Sequence, residues 1–98
     1  TIVEQYHNPN STGFRLEQNY PNPFNPVTTI EFDIHHPGEV RLTIYNLTGQ
    51  KMETLMEGFN KAGEYKITWR PKGLPSGIYF SRLETYGYSE TRKLIFQK

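Results

Sequence analysis

Residues 19–34 read Asn19-Tyr20-Pro21-Asn22-Pro23-Phe24-Asn25-Pro26, then Val27-Thr28-Thr29-Ile30-Glu31-Phe32-Asp33-Ile34. The first half admits neither a regular helix nor a central strand. Each proline fixes its own φ and removes a backbone donor. Each also pushes the residue before it (Tyr20, Asn22, Asn25) out of the α region. What remains is an extended, turn-punctuated clip whose asparagines bond nearby backbone. Tyr20 and Phe24 are its apolar anchors, expected to plug one end of the body that the rest of the chain makes. The second half alternates, with Ile30, Phe32 and Ile34 on one face and Thr29, Glu31 and Asp33 on the other. That period of two, rich in β-branched residues, is a half-buried strand.

The same alternation extends in both directions. Phe14 to Gln18 reads as a short first strand. Upstream, the polar cluster Asn8 to Gly13 marks a linker or N-terminal arm over residues 1–13, which leaves residues 14–98 as the domain. Downstream, His35-His36-Pro37-Gly38 is a turn. In Glu39 to Asn46, Val40, Leu42 and Ile44 point inward while Arg41, Thr43 and Tyr45 point outward. Gly49 supplies a positive φ in the turn that follows. Lys51 to Glu57 is a less regular strand, and Gly58 to Gly63 a loop with Phe59 tucked beneath it. Tyr65, Ile67 and Trp69 share one face of the next strand. Ile78 to Thr85 is apolar on both faces, as a central strand is. Tyr88 to Lys98 closes the chain, with Leu94 and Phe96 inward and Ile95 opposite. About seven strands at intervals of roughly 10–12 residues, with no 3.6-residue period, define an all-β, immunoglobulin-like sandwich of antiparallel strands.

Composition agrees. Ninety-eight residues fit one domain, and a formal net charge of +1 gives no field for nucleic acid or an anionic membrane. Hydrophobic residues make up only 35%, but 14% are aromatic, which suits a thin-cored β domain. The chain has no cysteine, so disulfides, thiolate metal sites and a cysteine nucleophile are excluded. No apolar run approaches the roughly 20 residues that span a bilayer, and no signal peptide opens the chain. Starting at Thr1 without an initiator Met, the sequence reads as a piece of a longer polypeptide.

Catalytic constellations are missing. His7, His35 and His36 are the only histidines, and adjacent His35 and His36 splay in a turn. Glu31 and Asp33, about 7 Å apart on one strand face, read as a solvated face. No nucleophile elbow or phosphate-cradling glycine motif occurs. A Ca²⁺ site near Asn22, Asn25 and Asp33 is the alternative to turn capping, but no EF-hand-like spacing supports it. Trp69, alternating with Ile67 and Tyr65, follows a core pattern. Tyr45, Tyr86 and Tyr88 are the candidates for stacking on sugar rings, yet their scatter favours strand packing and turn anchoring.

The ordered blocks resemble a known family. Leu16-Glu17-Gln18-Asn19-Tyr20-Pro21-Asn22-Pro23-Phe24-Asn25-Pro26 is similar to the opening of type A C-terminal sorting domains of the type IX secretion system. The resemblance continues through Val40-x-Leu42-x-Ile44-Tyr45-Asn46-x-x-Gly49 and Ala62-Gly63-x-Tyr65-x-x-x-Trp69. It then takes in Leu74-Pro75-Ser76-Gly77-Ile78-Tyr79-Phe80 and ends in Arg92-Lys93-Leu94-Ile95-x-x-Lys98. It covers about Phe14 to Lys98. The architecture also resembles the immunoglobulin-like domain of flagellar hook-capping proteins. Asn19 to Pro26, Trp69, Gly77 and Tyr79 carry the structural signature.

The resemblance implies a non-catalytic signal, without cofactor or metal, on the C-terminal side of a cargo domain in the same chain. The cargo would pass the periplasm and outer membrane to the cell surface or medium. Its implied partners are the outer-membrane translocon and a sortase-like peptidase. Arg92, Lys93, Leu94, Ile95 and Lys98 are the expected recognition residues, offering basic side chains and open strand backbone. Cleavage is expected upstream of the sandwich, within residues 8–13. Arg70-Pro71-Lys72 after Trp69, and Ser81-Arg82 where a Tyr often precedes Arg, depart from the family pattern. The alternatives are a carbohydrate-binding module, which would bind polysaccharide, and a structural spacer, whose location would not depend on the tail.

Overall fold

Two antiparallel sheets face each other in the computed structural model, which describes residues 14–85 and 87–98. The arm expected over 1–13, with His7 and the expected cleavage segment, lies outside the described residues, as does Tyr86. The strands are β1 (Phe14–Leu16), β2 (Thr28–Ile34), β3 (Gly38–Asn46), β4 (Lys51–Asn60), β5 (Gly63–Trp69), β6 (Gly77–Thr85) and β7 (Tyr88–Phe96). One sheet has the order β1-β2-β5 and the other β4-β3-β6-β7. Lettered in chain order, these are ABE and DCFG. Relative to the constant-type immunoglobulin arrangement, the fourth strand lies on the opposite sheet.

The inward-facing residues build a single core. Leu16, Ile30, Phe32, Leu42, Ile44, Leu83 and Leu94 are wholly buried, and Phe24, Trp69, Tyr79 and Phe96 nearly so. Alternation puts each of them on the inner face of its sheet. Phe24 and Trp69 are 5.7 Å apart between ring centroids, and Trp69 meets Tyr79 edge-on at 6.0 Å.

Both open sides of the sandwich are closed by polar bonds between the sheets. On the β4–β5 side, the Trp69 indole N–H donates to Glu53 Oε1 at 3.0 Å. On the β1–β7 side, the Leu16 N–H donates to Glu90 Oε1 at 2.6 Å, and Arg92 Nε donates to the Leu16 carbonyl at 3.0 Å. Glu90 and Arg92 thus satisfy the outward backbone groups of an edge strand.

Several local expectations change. β4 continues to Asn60, where the sequence suggests a loop from Gly58. Gly58, at φ +131°, keeps the backbone extended, so Glu39 still pairs with Phe59, and the Phe59 side chain is 67% exposed rather than tucked in. The irregular pattern of β4 comes from two bulges opposite Leu42/Thr43 and Ile44/Tyr45; the extra residues Leu55 and Met52 turn onto the core. Thr43 points outward as expected, yet it is fully buried on that face, between Thr54 and Arg82 of the flanking strands. β6 is central, but only its Tyr79–Leu83 face is fully buried; Ile78 and Phe80 are half-exposed. Gly49 adopts φ +88° as expected, in a turn where Asn46 Oδ1 accepts from the Thr48 and Gln50 amides.

Candidate recognition site at the clip and the last strand

The clip folds back on both neighbours. Its first half pairs with the start of β2. The Tyr20 N–H donates to the Thr29 carbonyl at 3.1 Å, and the Thr29 N–H donates to the Tyr20 carbonyl at 2.8 Å. This pairing buries Asn19 and leaves Tyr20 55% exposed, so Asn19, not Tyr20, is the inward residue. Asn19 Nδ2 donates to Thr28 Oγ1 at 2.9 Å and to the Pro21 carbonyl at 3.3 Å, while Thr28 Oγ1 donates to the same carbonyl at 2.9 Å. A hydrogen bond to Glu31 raises the Tyr20 hydroxyl pKa, with the charge of Glu31 adding to it. Pro21, Pro23, Asn25 and Pro26 are exposed on the surface of the clip, and its three X–Pro bonds are cis.

The second half of the clip docks on β7. The Phe24 N–H donates to the Ile95 carbonyl at 2.9 Å, and the Gln97 N–H donates to the Phe24 carbonyl at 3.0 Å. This is a parallel bridge between Phe24 and Phe96, whose rings stack at 5.2 Å. Asn22 imitates another strand residue with its side chain: the Ile95 N–H donates to Asn22 Oδ1 at 2.8 Å, and Asn22 Nδ2 donates to the Lys93 carbonyl at 3.3 Å. Gln18 Nε2 donates to the same carbonyl at 2.8 Å. Asn22 therefore bonds backbone far away in sequence, not the nearby backbone that its turn context suggests.

These contacts decide what the tail presents. The outward backbone of β7 between Lys93 and Gln97 is taken by the clip, which corrects the expectation of open strand backbone there. Leu94 is fully buried in the core, and Arg92 is spent on Leu16 and on Glu90, 3.4 Å away. Ile95 is half-exposed on the outer face, while Lys93 and Lys98 are exposed. The Lys98 N–H donates to Ser76 Oγ at 2.8 Å, so the tail is fastened at its end as well. Gly77 pairs with Phe96, and the Tyr79 hydroxyl donates to the Pro75 carbonyl at 2.7 Å, with burial raising its pKa.

No group of three or more His, Cys, Asp or Glu side chains suited to a metal occurs among the described residues. Asn22 and Asp33 are not brought together. Asp33 lies five residues beyond Thr28 on β2, about 17 Å along the strand, between Arg15 and Glu64 in the register. Burial first, and Glu64 second, raise the Asp33 pKa, with Arg15 opposing. His35 and His36 sit in the turn before β3. No helix among the described residues is long and apolar enough to cross a membrane.

The class of protein is thus an immunoglobulin-like β-sandwich whose distinguishing feature is a Pro/Asn clip docked along its last strand. The family described as the secretion system C-terminal sorting domain matches residues 18–97, and the chain belongs to that family. It is a sorting signal of type IX secretion, and a family of such signals is not catalytic. Neither the comparison with curated proteins nor that with solved structures found a match. The matched span begins at Gln18 and ends at Gln97, so it takes in both the clip and the strand on which it docks. Sequence reading alone missed Gln18, Asn22 and Glu90 as partners of the edge strands. The flanking prolines that hold Asn22 stiff were the one local signal.

Proposed function

We propose that this domain directs a cargo in the same chain through the periplasm to the outer-membrane translocon of the type IX system, and so to the cell surface or medium. Arg92, Lys93, Leu94, Ile95 and Lys98 form the segment on which recognition depends. They divide the work: Leu94 and Arg92 hold the strand in place, and Lys93, Ile95 and Lys98 face the partner. A sortase-like peptidase acts upstream of the sandwich, because paired strands resist proteolysis. The observation that carries this reading is the family match over both the clip and the tail. The fixed, outward placement of Lys93 and Lys98 supports it.

Deleting Arg92 to Lys98 from the cargo-bearing chain is expected to abolish export and leave cargo activity intact. The deletion also removes Leu94 and Phe96 from the core, so the charge reversal Lys98→Glu at an exposed position accompanies it. Lower export from both variants supports the reading. Unimpaired export after the deletion would sink it.

A further inference from the structure

The outer face of the four-stranded sheet is divided into two ends by its register. At one end Arg41 lies between Glu57 and Glu84 on the flanking strands, with Arg41 Nε 3.3 Å from Glu57 and Arg82 Nε 3.8 Å from Glu84. Glu57 and Glu84 at that end thus each have an arginine beside them. At the other end the row across the sheet is Lys51, Tyr45, Phe80 and Lys93, followed by the pair Ile78 and Ile95. These apolar side chains alternate with the buried Tyr79, Leu94 and Phe96, so they point away from the core. A depression of about 230 Å³ opens beside them, lined in part by Tyr45, Leu47 and Phe80, with Leu47 66% exposed. Single exposed apolar residues are ordinary, whereas a contiguous apolar face rimmed by charge marks an interaction surface.

Three observations select the occupant. Lys51 and Lys93 join no ion pair among the described residues, and no acid shares their end of the face. A second copy of this chain would bring like charges together, which disfavours it. The upstream chain joins at Phe14, whose ring lies 6.2 Å from Tyr88 at the start of β7. Lys93 lies five residues further along that strand, roughly 17 Å away, so this end of the face is set apart from the point where the described chain begins. Strand addition along Lys93 to Gln97 is already blocked by the clip.

The geometry points to this apolar, lysine-rimmed end of the outer face, centred on Phe80, Lys93 and Ile95, as the surface on which the secretion machinery docks, through an apolar segment flanked by carboxylates. This rests on the sorting function proposed above and names the surface and the partner chemistry. The clip, by closing the edge of β7, holds these side chains in register.

The test compares export of a cargo carrying the full chain with the substitutions Phe80→Glu, Lys93→Glu and, on the same face at the paired end, Ser89→Glu. Near-UV circular dichroism around Trp69 verifies the fold of each. Phe80→Glu and Lys93→Glu are expected to lower export about tenfold by setting like charges against the partner, while Ser89→Glu leaves it unchanged. Lys93 is exposed, so Lys93→Glu remains informative if Phe80→Glu fails to fold. Wild-type export from folded Lys93→Glu, or an equal loss from Ser89→Glu, would overturn the surface. The tail deletion, run in parallel, separates the outcomes: its loss of export beside an unaffected Lys93→Glu refutes the surface and leaves the sorting function standing.

Discussion

Replacing Asn22 by alanine isolates the link between the clip and β7. The change removes the Asn22 Oδ1 acceptor from the Ile95 N–H, bonded at 2.8 Å, and the Nδ2 donor from the Lys93 carbonyl, at 3.3 Å. The two losses differ in weight. Lys93 keeps a donor in Gln18 Nε2 at 2.8 Å, so its carbonyl stays satisfied. The Ile95 N–H, at a part-buried position beside the Phe24–Phe96 bridge, loses the side-chain acceptor that Asn22 gives it. A donor stranded in that way costs about 1–3 kcal/mol, against roughly 0.5–1.5 for an ordinary exchanged bond. We expect a total loss of about 2 kcal/mol, and hence a fall in Tm of roughly 8–16 °C for a domain of this size. Thermal unfolding by circular dichroism gives the total, and amide exchange locates it. Ile95 and Gln97 should lose protection far beyond any change in the β3–β6 amides, since only the junction opens. A loss below about 0.5 kcal/mol, with Ile95 still protected, would show that Asn22 holds nothing.

Further predictions concern the other contacts of the junction and one acid. Phe24→Ala empties a buried site between Trp69 and Phe96 and should cost about 3–5 kcal/mol, read as a lower urea midpoint with altered Trp69 fluorescence. Arg92→Ala strips the donor from the Leu16 carbonyl and should cost about 1–2 kcal/mol; Arg92→Lys should restore little, since lysine lacks the Nε geometry. Asp33→Asn should stabilise the domain. The folded Asp33 pKa lies above its ordinary value through burial and Glu64, so the native state binds its proton more tightly than the unfolded chain. Stability from Asp33 is therefore full below the ordinary value and falls as pH rises through the raised one. The gain from Asp33→Asn should appear near pH 7 and vanish near pH 3 in paired melting curves.

How far the fold was legible follows from range. The strands were legible because alternation is local: Ile30, Phe32 and Ile34 declare their face without reference to anything else. The clip was legible as stiff, since proline acts on its own residue and the one before. What a residue of the clip touches was not. Asn22 meets Ile95 across 73 residues, and nothing in either neighbourhood announces the other. Tyr20 misleads because size suggests burial, whereas its backbone pairing with Thr29 turns the ring outward and Asn19 inward. Gly58 reads as loop punctuation but continues β4 with a positive φ. The tail shows the same limit. Alternation already turned Leu94 inward and Ile95 outward, but that Arg92 is spent on the Leu16 carbonyl, 76 residues away, was not legible.

The central claim is that this folded unit is a sufficient address for type IX export. The direct measurement fuses the 98-residue chain to a reporter that otherwise remains in the periplasm, in a bacterium with a working type IX system, and assays the reporter at the surface and in the medium. The account predicts that the reporter leaves the cell, and that it stays behind when the translocon is inactivated. A reporter retained in the periplasm with the domain folded, or released equally without the translocon, would contradict it.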